Sequence, residues 1–332
     1  MTTTTPAFDA STALSACSPD LLAISDRKAA SSTRHPTSTS HVLVPAGPFS
    51  LDLARTAVMR WAPVSRFARD AARPLVLAAI ADDDLRPVAF ALTQDAVDAP
   101  VTVEITGTGD PDAARAQCAR IVSLDHDASG LVGPDSVATR DPAVGAVLAR
   151  AHGRRPTLFP SVYEAAAWAV ISPRIGKARA AVLTRRLAAE HGETLTLAGE
   201  RIAAFPTPHT LLGIDEIPGL PAEKVRRLHG VARASLDGEL DVARLRALGP
   251  DGARAALRRV RGIGEFWSSG IWLRACGVVD EWPAEPRATA ALAHLHGRDP
   301  QDYDDPATLA AATAPLAPYR MWVAFLLRMG DA

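Results

Sequence analysis

The sequence predicts an α+β chain: a small antiparallel sheet with helices on one face, then a longer all-helical half. Three observations predict it. Between residues 41 and 124 the patterns run strand, helix, three strands, helix. Beyond about residue 130, helical patterns follow one another between turns rich in Gly and Pro, with no convincing strand. Hydrophobic residues make up 48% and charged residues 22% of 332 positions, an ordinary globular balance over about two domains' worth of chain.

The elements read as follows. Residues 1–40 hold 16 Ser or Thr, no sustained apolar period, and neither the charged start nor the apolar core of a secretory signal. They read as a disordered tail. His41–Val44 is a short strand-like run. Ser50–Trp61 has helical spacing through Leu51, Ala54, Val58 and Trp61, with Ser50 as N-cap. Pro74–Ala81, Pro87–Leu92 and Val101–Thr106 are β-like runs between turn residues. Asp110 and Pro111 open a helix reaching about Leu124. The helical half then runs through Pro142–Ala151, Ser161–Ser172, Gly176–His191, Ala222–Ala234, Gly252–Val260, Glu265–Cys276, Pro286–His296, and Pro306 to about Arg328. The division is a tail over 1–40, an α+β domain over 41–130 and a helical domain over 131–332.

Composition excludes several classes. No run approaches the ~18 apolar residues of a membrane-spanning helix. Cys17, Cys118 and Cys276 are too few for a disulfide scaffold or a four-cysteine metal site. Residues 151–274 hold 19 basic and 12 acidic side chains, net +7, while 1–150 and 275–332 are each net −4. A basic middle between acidic ends suits a localised anionic partner, although a solvated Arg-rich surface has the same signature.

The most informative segment is Leu257–Arg274. A helix ends near Val260, a tight turn Arg261-Gly262-Ile263-Gly264 follows, and a second helix begins at once. The glycines admit positive φ and let a ligand approach the backbone. The second helix turns its free amides and positive dipole end toward the turn, which suits a phosphate. Arg258, Arg259 and Arg261 add charge, so the turn can hold a DNA strand by its backbone without reading sequence. A helical elbow that simply packs is the alternative. Sixteen residues beyond Gly264 begins an acidic loop, Asp280-Glu281-Trp282-Pro283-Ala284-Glu285, opening another helix at Pro286.

Hairpin, second helix ending in Leu-Arg, and acidic Pro-containing loop together resemble the helix–hairpin–helix DNA glycosylase superfamily, in particular 3-methyladenine DNA glycosylase II. Phe205-Pro206-Thr207-Pro208 resembles that branch's connector, and Gly219–Leu228 one of its helices ahead of the hairpin. The N-terminal strand and helix order resembles its TBP-like domain. The resemblance implies a monofunctional enzyme that flips an alkylated purine out of duplex DNA and hydrolyses its N-glycosidic bond in base excision repair. It also implies a bacterial, cytoplasmic, nucleoid-associated monomer with no required cofactor and no metal in its active site, while admitting a monovalent cation on the hairpin carbonyls.

Residue by residue, the family's catalytic Asp falls at Pro286 in ungapped register. Glu285, one residue before, is the substitute carboxylate, or else a helix-start charge. Asp280 is the fallback, or else a structural loop residue. Bifunctional relatives carry a Lys two residues past the hairpin, where this chain has Phe266; without the amine no Schiff base forms. Trp168 and Phe266 are candidates for the base pocket, or else core residues. Near Pro173-Arg174, where relatives place a wedge, Arg174 either enters the minor groove or contacts phosphate or solvent. Departures at Arg261, Arg174 and Pro286 keep a second reading open, a catalytically silent DNA-binding protein on the same fold. A helical adaptor is a third, with only generic fold behind it.

Overall fold

The computed structural model describes residues 38–67, 74–107 and 109–329. The expected tail therefore lies, up to residue 37, outside the described residues. Strand β1 (Thr39–Leu43) leads into helix α1 (Leu51–Arg60), whose N-cap Ser50 accepts from the Leu53 amide at 3.3 Å. Strands β2 (Leu75–Ile80), β3 (Pro87–Gln94) and β4 (Val101–Thr106) complete an antiparallel sheet of order β1-β4-β3-β2. Phe90 pairs with Leu77 on one side and Ile105 on the other, and all three are buried. Helix α2 (Pro111–Ile121) starts at Asp110, whose carboxylate accepts from the Asp112 and Ala113 amides, with Pro111 in the first turn where a missing N–H costs nothing. These elements follow the sequence pattern closely.

The helical part continues through α3 (Val137–Arg140), α4 (Pro142–Arg150), α5 (Val162–Ile171) and α6 (Lys177–His191). All ten residues of α5 are buried, including Glu164, which accepts from the Ile80 amide at 3.0 Å and so pins α5 to β2. Gln117 of α2 donates to the carbonyls of Ile80 and Pro160, both at 3.0 Å. One hydrophobic core runs through sheet and helices across position 130, from Phe90 and Ile105 to Leu228, Ile271 and Trp322.

Two expectations are corrected. The half after residue 130 is not all-helical. Strands β5 (Thr194–Leu197) and β6 (Glu200–Ala203) form an antiparallel hairpin turned at Ala198 (φ 50°) and Gly199 (φ 75°). Leu195, Leu197 and Ile202 are buried and alternate with polar residues, so the hairpin packs one face on the four-stranded sheet. Further on come α7 (Pro208–Leu212), α8 (Ala222–Leu236), α9 (Val242–Ala247), α10 (Gly249–Arg259), α11 (Glu265–Arg274) and α12 (Pro286–Leu295). The single helix expected from Pro306 is two, α13 (Pro306–Thr313) and α14 (Arg320–Arg328). Pro315 and Pro318 lie between them and remove the amides a continuous helix needs. Among the described residues, no helix is long and apolar enough to cross a membrane.

Candidate active site

Helix α10 stops at Val260, and the Ile263 amide donates to the Val260 carbonyl at 3.0 Å, closing the turn. Gly262 has φ +104°, and a Cβ there would sit 3.0 Å from Cδ of Arg227 and 3.3 Å from Cγ2 of Val170. Gly264 has φ −89° and is extended, so left-handed freedom is needed at Gly262 alone. Ile263 is buried and anchors the turn. Gly264 caps α11 without a side chain, which leaves the first amides of that helix for another acceptor. Arg258, Arg259 and Arg261 are exposed around it. Arg261 reaches Glu223 at 3.7 Å, and Glu223 also accepts from Arg226 and Arg227, which hold its carboxyl below the usual range.

The acidic loop is tied down carboxylate by carboxylate. Asp280 pairs with Arg320 at 2.9 Å. Glu281 pairs with Arg254 of α10 and accepts from Nε1 of Trp272 on α11 at 2.9 Å. Glu285 is the N-cap of α12: Oε1 accepts from the Arg287 amide at 3.4 Å, and Oε2 lies 3.8 Å from Nη1 of Arg328. Both contacts are long, and the side chain keeps 31% exposure. Glu285 is held loosely, by a long cap bond and a long ion pair, whereas Asp280, although 39% exposed, is in the shorter ion pair.

Beside Glu285, Arg328 borders a cavity of about 60 Å³, with Arg60, Trp61, Thr157, Arg274 and Phe325 also in its wall. Arg274 lies over the Trp61 ring at 4.2 Å and over Phe325 at 5.2 Å, and donates to the Thr157 carbonyl at 2.6 Å. Its Nε is buried without a hydrogen-bond partner. Burial, aided by Arg328, pushes the guanidinium down to about 9, so it stays charged at neutral pH.

The expected pocket aromatics do not meet. Trp168 is 5% exposed on buried α5 and borders a void of about 10 Å³ with Phe159, Glu164 and Phe205, too small for a base. Phe266 is 71% exposed on α11, edge-on to Trp267 at 5.4 Å. The apolar surroundings of α5 claim Trp168 for the core. Arg174 is exposed at φ 62°, in a turn held by Lys224, whose Nζ donates to the Ile171 and Pro173 carbonyls at 2.6 and 2.7 Å. Arg328, Arg274 and Trp61 were not singled out from sequence as site residues. Two signals bear on them: Arg274 closes the Leu-Arg end of α11, and Arg328 is a charge ending the apolar run of α14. Cys118 and Cys276 are buried, which pushes both thiols up, Cys276 to about 12, so neither serves as a nucleophile.

This arrangement ties a carboxylate-bearing loop to a helical turn whose second helix starts with free amides. Solved structures share the fold. A 3-methyladenine DNA glycosylase from Archaeoglobus fulgidus superposes with a TM-score of 0.66 at 18% identity, covering 88% of this chain and 98% of that one. The apo form of a Clostridium acetobutylicum 8-oxoguanine glycosylase/lyase gives 0.57 at 14% identity, covering 90% and 98%. MBOgg1 bound to a low-affinity DNA ligand gives 0.55 at 16%, covering 79% and 96%. A DNA-3-methyladenine glycosylase of Bacillus subtilis (strain 168) is 26% identical over 148 residues, 42% of this chain and 47% of that protein. The chain thus spans about half the length of that curated relative. No protein-family model matches the chain. The chain shares its fold with these solved DNA glycosylase structures.

Proposed function

We propose that this chain is a monofunctional DNA glycosylase that removes alkylated purines from duplex DNA in base excision repair. The observation that carries the reading is the pairing of the uncapped α10–α11 turn with a half-exposed carboxylate, Glu285, at the start of α12. The turn and its arginines hold the DNA backbone without reading sequence. The flipped nucleotide brings its deoxyribose to Glu285. As the bond from C1′ to the base breaks, its electron pair leaves with the base and positive charge grows on the sugar. Glu285 stabilises that charge and takes a proton from the water whose oxygen bonds to C1′. The resemblance puts the lyase nucleophile at Phe266, which carries no amine, so water is the acceptor and no strand cleavage follows. No cofactor enters the proposal, and no step needs a cation at the hairpin.

Base release from randomly methylated duplex DNA tests it. Wild type releases alkylated purines and leaves the strand uncut. Glu285→Gln keeps DNA binding but slows release by about 100-fold or more. Full activity in Glu285→Gln sinks the carboxylate assignment. The second reading, a silent binding protein, draws on Pro286 standing where the family resemblance expects Asp. Salt-dependent binding with no release by wild type establishes it.

A further inference from the structure

We propose that Glu223 is a built-in competitor for DNA: its carboxylate holds three arginines beside the α10–α11 turn, and the DNA backbone must displace it to take them. The inference rests on reading that turn as a grip on the DNA backbone, and adds a restraint on the strength of the grip. Glu223 stands in the first turn of α8. Its Oε2 accepts from Nε and Nη2 of Arg226 at 3.2 and 2.7 Å, and its Oε1 accepts from Nε of Arg227 at 3.1 Å. Nη2 of Arg261, which opens the turn, lies 3.7 Å from the same Oε1. Both carboxylate oxygens are thus engaged by guanidiniums from two elements.

The cluster sits against the turn itself. Cδ of Arg227 lies 3.0 Å from where a Cβ on Gly262 would stand. The side chains of Arg226 and Arg261 keep 67% and 81% exposure and that of Glu223 keeps 37%, so a strand laid along the turn meets the carboxylate together with its arginines. Helical spacing fixes the carboxylate there, with Arg226 and Arg227 three and four residues on, along the same face of α8. Arg258 is also exposed at the turn but enters no ion pair among the described residues.

A carboxylate and a phosphodiester offer a guanidinium the same kind of acceptor. One negative charge among three positive ones leaves two where DNA would otherwise meet three. A phosphate oxygen that takes Arg226 or Arg261 either sheds the Glu223 contact or lies within its repulsion. Exposed ion pairs of this kind add little to stability, so they exchange readily. The restraint keeps a grip that reads no sequence from holding undamaged duplex too tightly.

The test is titration of an undamaged duplex, followed by fluorescence anisotropy between about 50 and 200 mM salt. Glu223→Gln removes the charge and keeps the side-chain length. It is expected to bind about 5-fold tighter at the low end, with log K against log salt steeper by about one unit. In an Arg226→Gln/Arg261→Gln background the gain is expected to fall below about 2-fold, whereas in an Arg258→Gln background it stays near 5-fold. All four positions are at the surface, and the thermal transition confirms folding. Weaker or unchanged binding by folded Glu223→Gln overturns the inference, since the carboxylate then organises the arginines or stands idle. An equal gain in both arginine backgrounds also overturns it, because repulsion at a distance needs no contact; the DNA reading of the turn survives either result. No binding by wild type at low salt overturns that reading, and this inference with it.

Discussion

Glu285 shows how one side chain serves two masters. As N-cap it accepts from the Arg287 amide, a bond of 3.4 Å that is long because glutamate reaches further than the usual Asp or Ser. The loose cap leaves the second oxygen facing Arg328. Replacing Glu285 by Gln therefore removes charge but keeps an acceptor, and under the proposed function it is expected to lower base release far more than the thermal transition. Gly262 carries a different constraint. At φ +104°, with Arg227 and Val170 against the site of a Cβ, Gly262→Ala is expected to cost about 1–2 kcal/mol and to weaken DNA binding, measured by urea unfolding and low-salt titration. Unchanged stability would mean the turn relaxes without cost. Gly262 was legible in the sequence as part of the turn. The cavity was not, because Trp61, Arg274 and Arg328 come from three distant segments and share no local pattern.

At the scale of elements, caps made the sequence readable. Ser50, Asp110 and Ser161 each stand before an apolar period and each accepts the expected amide. The β5–β6 hairpin escaped because four-residue strands give alternation little room to register. Its Leu-x-Leu and buried Ile202 were nonetheless there to read. Ala198 pays for the tight turn with a left-handed backbone at φ 50°. Ala198→Asn, a residue that tolerates this conformation, is expected to stabilise the protein by about 0.5–1 kcal/mol in thermal unfolding, and a loss would show the turn to be misjudged. The broken C-terminal helix was signalled by Pro315 and Pro318.

For the whole molecule, Arg155 fastens the start of the helical half to the segments around residues 47 and 124. It is 2% exposed and donates to the carbonyls of Ala46, Gly47, Pro48, Ser123 and His126 at 2.6–2.9 Å. Burial pushes it down to about 10, which still leaves it charged at neutral pH. Arg155→Met strips all five carbonyls of their donor at once and is expected to cost more than about 3 kcal/mol, measured by denaturant titration. A small loss would mean water replaces the guanidinium. A last consequence follows from Glu281, which binds Arg254 on one side of the hairpin and Trp272 on the other. The loop carrying Glu285 is thereby lashed to both helices of the α10–α11 turn. Under the proposed function, hairpin and carboxylate would form a gauge of fixed span, setting how many nucleotides separate the held phosphate from the sugar presented to Glu285.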